Sequence, residues 1–182
     1  STPFCQNASN PSPTFGACAS ARTFSSTGGP VVLNFVKVNT VQINLSTSTP
    51  GTYTITNTIV ASGGCAAATA TFSVTINGAP TISATPVSQT ICSGATTSIA
   101  LSSSMGATTY SWTVTQTGVT GASAASGGTI AQTLTTTGAV SGTATYTVTS
   151  ISGACPGNTL IIPITVNPVP NVVATPVATT IC

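Results

Sequence analysis

Apolar and polar side chains alternate with a period of two along most of this 182-residue chain, which predicts half-buried β-strands. In the first half, Arg22–Ser25 and Val31–Phe35 are short strand candidates separated by Gly28-Gly29-Pro30. Gln42–Ser46 turns Ile43 and Leu45 to one face, Thr52–Thr56 turns Tyr53 and Ile55, and Phe72–Ile76 follows. Pro3, Pro11 and Pro13 predict an irregular start before a strand near Thr14–Phe15. Pro50-Gly51 and Gly63-Gly64-Cys65 are turn signals. In the second half the strand candidates are Ser98–Ser102, Tyr110–Val114, Thr129–Leu134, the set Ala144, Tyr146 and Val148, and the set Leu160, Ile162, Ile164 and Val166. Pro163 faces outward in the last of these, which suits an edge or a strand end. Ser123 to Gly128 is a loop of small residues. No stretch of ten residues carries a helical apolar stripe. Seven or so short strands, spaced by turn residues, read as an antiparallel β-sandwich.

One pattern occurs twice, 90 residues apart. Asn77, Pro80, Pro86 and Cys92 recur as Asn167, Pro170, Pro176 and Cys182, each within an alternating run, a proline-bearing joint and a second extended run. This reads as a last strand, a linker and the first strand of a following domain. The expected organisation is a β-sandwich repeat over 1–78, a second β-sandwich repeat over 79–168, and linker plus first strand of another repeat over 169–182, in an elongated tandem array. Prolines at 80, 86, 168, 170 and 176 fix φ and restrict their predecessors, so the joints should be stiff.

Composition narrows the function. Ser and Thr supply 62 of 182 residues, while Arg22 and Lys37 are the only charged side chains; there is no Asp, Glu or His. Two cations cannot supply counterion release to nucleic acid. A calcium cage needs carboxylates. General acid–base catalysis commonly needs His, Asp or Glu, and Lys37 reads as a solvated strand residue, so no catalytic residue, metal ligand or cofactor is expected. Residues 1–20 do not read as a signal peptide, and no run of 18 apolar residues would insert in a membrane.

The motifs GTYTITNTIVASGGCAAATATFSVTIN, TICSGATTSIALSS, YSWTVT, TYTVTSISGAC and ITVNPVP resemble the immunoglobulin-like and PKD-like repeats of giant Bacteroidetes cell-surface adhesins. These include gliding-motility adhesins exported by type IX secretion. The resemblance covers nearly the whole chain and implies export to the cell surface within a long adhesive or structural filament. The aspartate-containing turns common in PKD domains are missing here, as is the Asp-Ser/Thr glycosylation motif of that phylum.

Six cysteines without histidine and without a C-x-x-C pair indicate disulfides and an oxidising, extracellular setting. Recurrence suggests Cys5–Cys65 and Cys92–Cys155, with Cys182 left for a next domain and Cys18 unpaired. Two rivals stay open: Cys5–Cys18, and bonds between neighbouring domains such as Cys5–Cys155. Trp112, alternating with Tyr110 and Val114, is expected in the core where a sandwich buries its third-strand Trp. Tyr53 and Tyr146 each follow a Gly-containing turn and suit a tyrosine corner, hydroxyl to backbone. The sequence thus predicts a non-enzymatic, disulfide-stapled stalk or adhesive repeat. Its partners would be neighbouring repeats of the same polypeptide, a further copy of itself, or a cell-surface polysaccharide. A glycan-binding module and a self-assembling filament subunit are the alternative readings.

Overall fold

A computed structural model describes residues 3–12, 22–29, 33–37, 42–61 and 66–170. Every regular element among them is a strand. The chain forms two compact units. The first takes residues up to Thr81 together with Ser103–Thr109 and Ser150–Asn158; the second takes Ile82–Ser102, Tyr110–Thr149 and the residues from Thr159 on.

The first unit contains β1 (Phe4–Cys5), β2 (Arg22–Thr27), β3 (Phe35–Lys37), β4 (Gln42–Ile43), β5 (Gly51–Ile59) and β6 (Ala68–Asn77). A four-stranded sheet runs in the order β1-β6-β5-β2, and β3 pairs with β4. Alternation along β5 and β6 points Tyr53, Ile55, Val74 and Ile76 into a core shared with Phe24, Ile43 and Leu45. The predicted strand Gln42–Ser46 ends early. Leu45 N–H donates to Asn10 Oδ1 at 2.9 Å, and Ser48 Oγ donates to Asn44 O at 2.7 Å, so side chains occupy groups that a ladder would use. Leu45 is nevertheless fully buried. The expected strand near Thr14–Phe15 lies outside the described residues.

The remaining strands are β7 (Ile82–Thr85), β8 (Gln89–Cys92), β9 (Ile99–Ser103), β10 (Thr109–Thr117), β11 (Val119–Thr120), β12 (Ala125–Ser126), β13 (Thr129–Ile130), β14 (Thr135–Thr136), β15 (Gly142–Ser152), β16 (Cys155–Pro156) and β17 (Leu160–Asn167). One sheet follows β12-β10-β15-β17-β8, with β16 on β15; another follows β13-β9-β7, and β11 pairs with β14. The core of the second unit includes Ile99, Trp112, Tyr146, Ile162 and Ile164. The predicted 123–128 loop holds a short strand, because Ser126 and Ala125 pair with Ser111 and Trp112.

The sandwiches are not purely antiparallel. In each, the first-strand cysteine lies on a strand running parallel to the last one: β1 beside β6, and β8 beside β17. The run 82–92 is divided between sheets, since β7 pairs with β9 and β8 with β17. Pro86 stands at the break, where it has no ladder bond to lose. Pro163 is opposite Thr145, one residue before the β8 ladder begins at Ile164. Its missing N–H therefore falls at the end of that parallel ladder.

Candidate functional site

The candidate site is a cross-linked strand edge in the first unit, built from β1, the end of β6 and the turn before β16. Cys5 pairs with Asn77 across the parallel ladder, and the Gln6 N–H donates to Asn77 O at 2.9 Å. Ser152 and Cys155 close a two-residue hairpin. Its central residues have positive φ, 53° at Gly153 and 69° at Ala154. Two positive-φ residues in succession match the twist of the flanking strands, and glycine accepts the first at little cost. The turn brings Cys155 to Cys5, and the two form a disulfide with a Cα–Cα distance of 5.4 Å. Two amides brace it: Asn77 Nδ2 donates to Gly153 O at 3.2 Å, and Asn7 Nδ2 donates to Pro156 O at 2.9 Å. At Gly157 an added Cβ would collide with Pro80 O and Ser150 Oγ, so glycine lets the segment leave the turn against buried Pro80.

This bond corrects the pairing favoured from recurrence. Each sulfur forms one bond, so Cys5–Cys155 excludes both Cys5–Cys65 and Cys92–Cys155, and also Cys5–Cys18. Recurrence marks equivalent cysteines, but equivalence in sequence does not bring two of them together in space. Cys155 bonds Cys5 and leaves Cys92 free, so the pairing takes residues 150 apart in sequence. Cys92 is exposed and free. Cys18, Cys65 and Cys182 lie outside the described residues.

The aromatic candidates sit in the cores. Tyr53 is buried, and its hydroxyl donates to Thr49 O at 2.6 Å, four residues upstream. Tyr146 differs from the expected hydroxyl-to-backbone bond. Its hydroxyl donates at 2.8 Å to the side chain of Gln132, through Oε1. Burial pushes the Tyr146 phenol up to about 12, because the phenolate would lose its hydration. Gln132 then joins several groups. Its Oε1 also accepts from Ser123 N at 2.9 Å, and its Nε2 donates to Ser123 O at 2.8 Å. Trp112 Nε1 donates to the same Ser123 carbonyl at 3.3 Å. Thr97 Oγ1 accepts from Gln132 N at 2.9 Å and donates to Ile130 O at 3.0 Å. Sequence reasoning missed Gln132, since a single polar residue inside the strand candidate Thr129–Leu134 carries no periodic signal.

Of the proline candidates, Pro80 is buried, Pro86 and Pro170 are exposed, and Pro176 lies outside the described residues. A cleft of about 410 Å³ in the first unit is lined by Pro50, Thr75, Asn77, Met105 and Ser152 among others, with no ionisable side chain. No cluster of three or more His, Cys, Asp or Glu occurs among the described residues. No helix among them is long and apolar enough to cross a membrane.

Residues 89–170 match the PKD-like domain family. The matched stretch begins at β8 and ends just beyond β17, so it spans the parallel pair β8–β17. No curated protein matches the chain. Among solved structures, it is similar to protocadherin gamma B2 extracellular cadherin domains 1-5 at 11% identity and a TM-score of 0.38, covering 93% of this chain and 38% of that one. It is similar to human CDH23 EC21-23 at 15% identity and a TM-score of 0.40, covering 91% of this chain and 66% of that one. It is also similar to a SusE-like surface-located polysaccharide-binding protein from the Bacteroides thetaiotaomicron heparin utilisation locus. That match has 13% identity and a TM-score of 0.36, covering 82% of this chain and 29% of that one. The chain spans less than two thirds of each of these proteins. Outside the PKD-like match, β1 on β6 repeats the arrangement of β8 on β17.

Proposed function

We propose that this chain is a non-enzymatic stalk segment of a long extracellular cell-surface protein, in which successive β-sandwich repeats carry load and hold an adhesive part away from the cell. The repeats would be 1–78 and 79–168, with 169–182 opening another. The observation that carries this reading is the recurrence of one edge, a first-strand cysteine opposite an asparagine of the last strand, at Cys5–Asn77 and at Cys92–Asn167. A repeated edge serves stacking, whereas a unique ligand site would not need to occur twice. The disulfide supports an oxidising location, and the buried Trp112, Tyr53 and Tyr146 support a stalk over sugar stacking on those rings.

Pulling the chain by its two ends tests this. With Cys5–Cys155 intact, only residues outside that loop can extend, releasing on the order of 100 Å of chain; after reduction about 600 Å should be released. Full-length extension of the oxidised protein would overturn the stalk reading.

A further inference from the structure

The edge at Cys92 repeats the edge at Cys5 in detail. Cys5 faces Asn77 in a parallel ladder, and Cys92 faces Asn167 in another. The following residue's N–H donates to the asparagine carbonyl in both, Gln6 at 2.9 Å and Ser93 at 2.7 Å. Three residues past each cysteine an alanine N–H returns to the cysteine carbonyl, Ala8 at 2.9 Å and Ala95 at 3.0 Å. Cys5 carries a disulfide; Cys92 is exposed and free.

The partner position also recurs. Gly153-Ala154-Cys155 stands in the connection from β15 to β17, and Gly63-Gly64-Cys65 stands, by sequence, in the connection from β5 to β6. The offset is 90 residues, as it is between Asn77 and Asn167. The bond that exists therefore joins the first-strand cysteine of one period to the hairpin cysteine of the next. Carried one period further, the same rule leaves Cys92 waiting for a hairpin cysteine from outside this pair of repeats.

We propose that Cys92 is a covalent docking site for the Gly-x-Cys hairpin of another repeat of this fold, so that each joint of the array carries one staple. This rests on the tandem-repeat reading given above. Asn167 would brace the incoming turn as Asn77 braces Gly153: its Oδ1 accepts from Ser141 at 2.9 Å, which leaves its amide N–H groups for a carbonyl. Asn7 has no counterpart, because Gly94 stands two residues after Cys92. The second edge should therefore hold its turn through one amide before the sulfurs join. In the joining step the two thiols lose two protons and form one S–S bond. The two electrons reduce a disulfide oxidant, such as oxidised glutathione, to two thiols.

A second copy of the chain supplies the probe, since its Cys65 stands 90 residues before Cys155 in the sequence and is not used by Cys5–Cys155. The full chain carrying C18S and C182S is oxidised at high concentration with oxidised and reduced glutathione, then mapped without reduction. The expected result is Cys5–Cys155 within each copy and a head-to-tail ladder linked by Cys92–Cys65. Adding C92S or C65S should leave monomers, and mixing those two variants should give dimers and nothing longer. Cys92 remaining a thiol or glutathione adduct in monomers, a Cys92–Cys92 link, or a Cys65–Cys92 bond inside one copy would each overturn the staple. Loss of Cys5–Cys155 itself would instead overturn the stalk reading.

Discussion

Tyr146 shows what a single buried hydroxyl does here. Its phenol is raised to about 12 by desolvation, above the ordinary value of 10.0. Because the folded state holds the proton more tightly, the associated stability is complete below pH 10 and is lost as pH climbs toward 12. Chemical denaturation of wild type and Tyr146→Phe at pH 8 and at pH 11 should show this. The variant should be less stable by about 1 kcal/mol at pH 8, having lost one buried hydrogen bond. The gap should shrink or reverse at pH 11. A constant gap would mean that Tyr146 releases its proton alike in the folded and unfolded chains, so that burial does not raise its pKa. The fate of the cysteines belongs to the same scale. Their number and redox setting were legible in the sequence. Their pairing was not, because bond formation depends on Cα atoms approaching within about 7 Å, and periodicity reports which positions are equivalent without reporting which are close.

At the scale of elements, alternation gave most strands their faces. Ile43, Tyr53, Ile55, Ile99, Tyr146, Ile162 and Ile164 are all buried, as period two required. What it missed were short elements whose partners are distant, such as β12, made of two small residues that pair with Ser111 and Trp112. The division of 82–92 between two sheets was hidden for the same reason. Glycines mark other close approaches. At Gly142, where β15 begins, an added Cβ would lie 2.5 Å from Gly118 O and 2.5 Å from Val119 Cγ2. At Gly128 it would meet nothing within 4 Å. Gly142→Ala should therefore destabilise the protein by about 1–3 kcal/mol, the cost of overpacking. Gly128→Ala should stay within about 0.5 kcal/mol of wild type. Urea titration of both distinguishes steric crowding from a general effect of adding a methyl group; equal losses would refute the crowding.

At the scale of the whole molecule, charge is nearly missing. With no Asp, Glu or His, no side chain has an ordinary carboxylate or imidazole pKa to titrate between about pH 3 and 8. Stability depends on pH only where folded and unfolded chains bind protons differently. The melting temperature of the oxidised protein should thus be nearly the same at pH 4 and pH 7.5. It should also be nearly unchanged between low and high sodium chloride, because two cations leave little to screen. A shift of many degrees with pH would show that a bound ion, a glycan or a partner chain is titrating.

The sequence by itself determined the all-β class, the facing of the strands, the repeated segment from asparagine to cysteine and the scarcity of ionisable side chains. Each of these follows from local alternation, from a fixed 90-residue offset or from composition, none of which needs a third dimension. Only the tertiary structure decided that Cys5 meets Cys155, that Tyr146 bonds Gln132, and that β1 runs parallel to β6 and β8 to β17. Those facts concern residues far apart in the chain. Which of several equivalent groups come within bonding distance is set by how the strands pack, and one-dimensional spacing does not contain that distance.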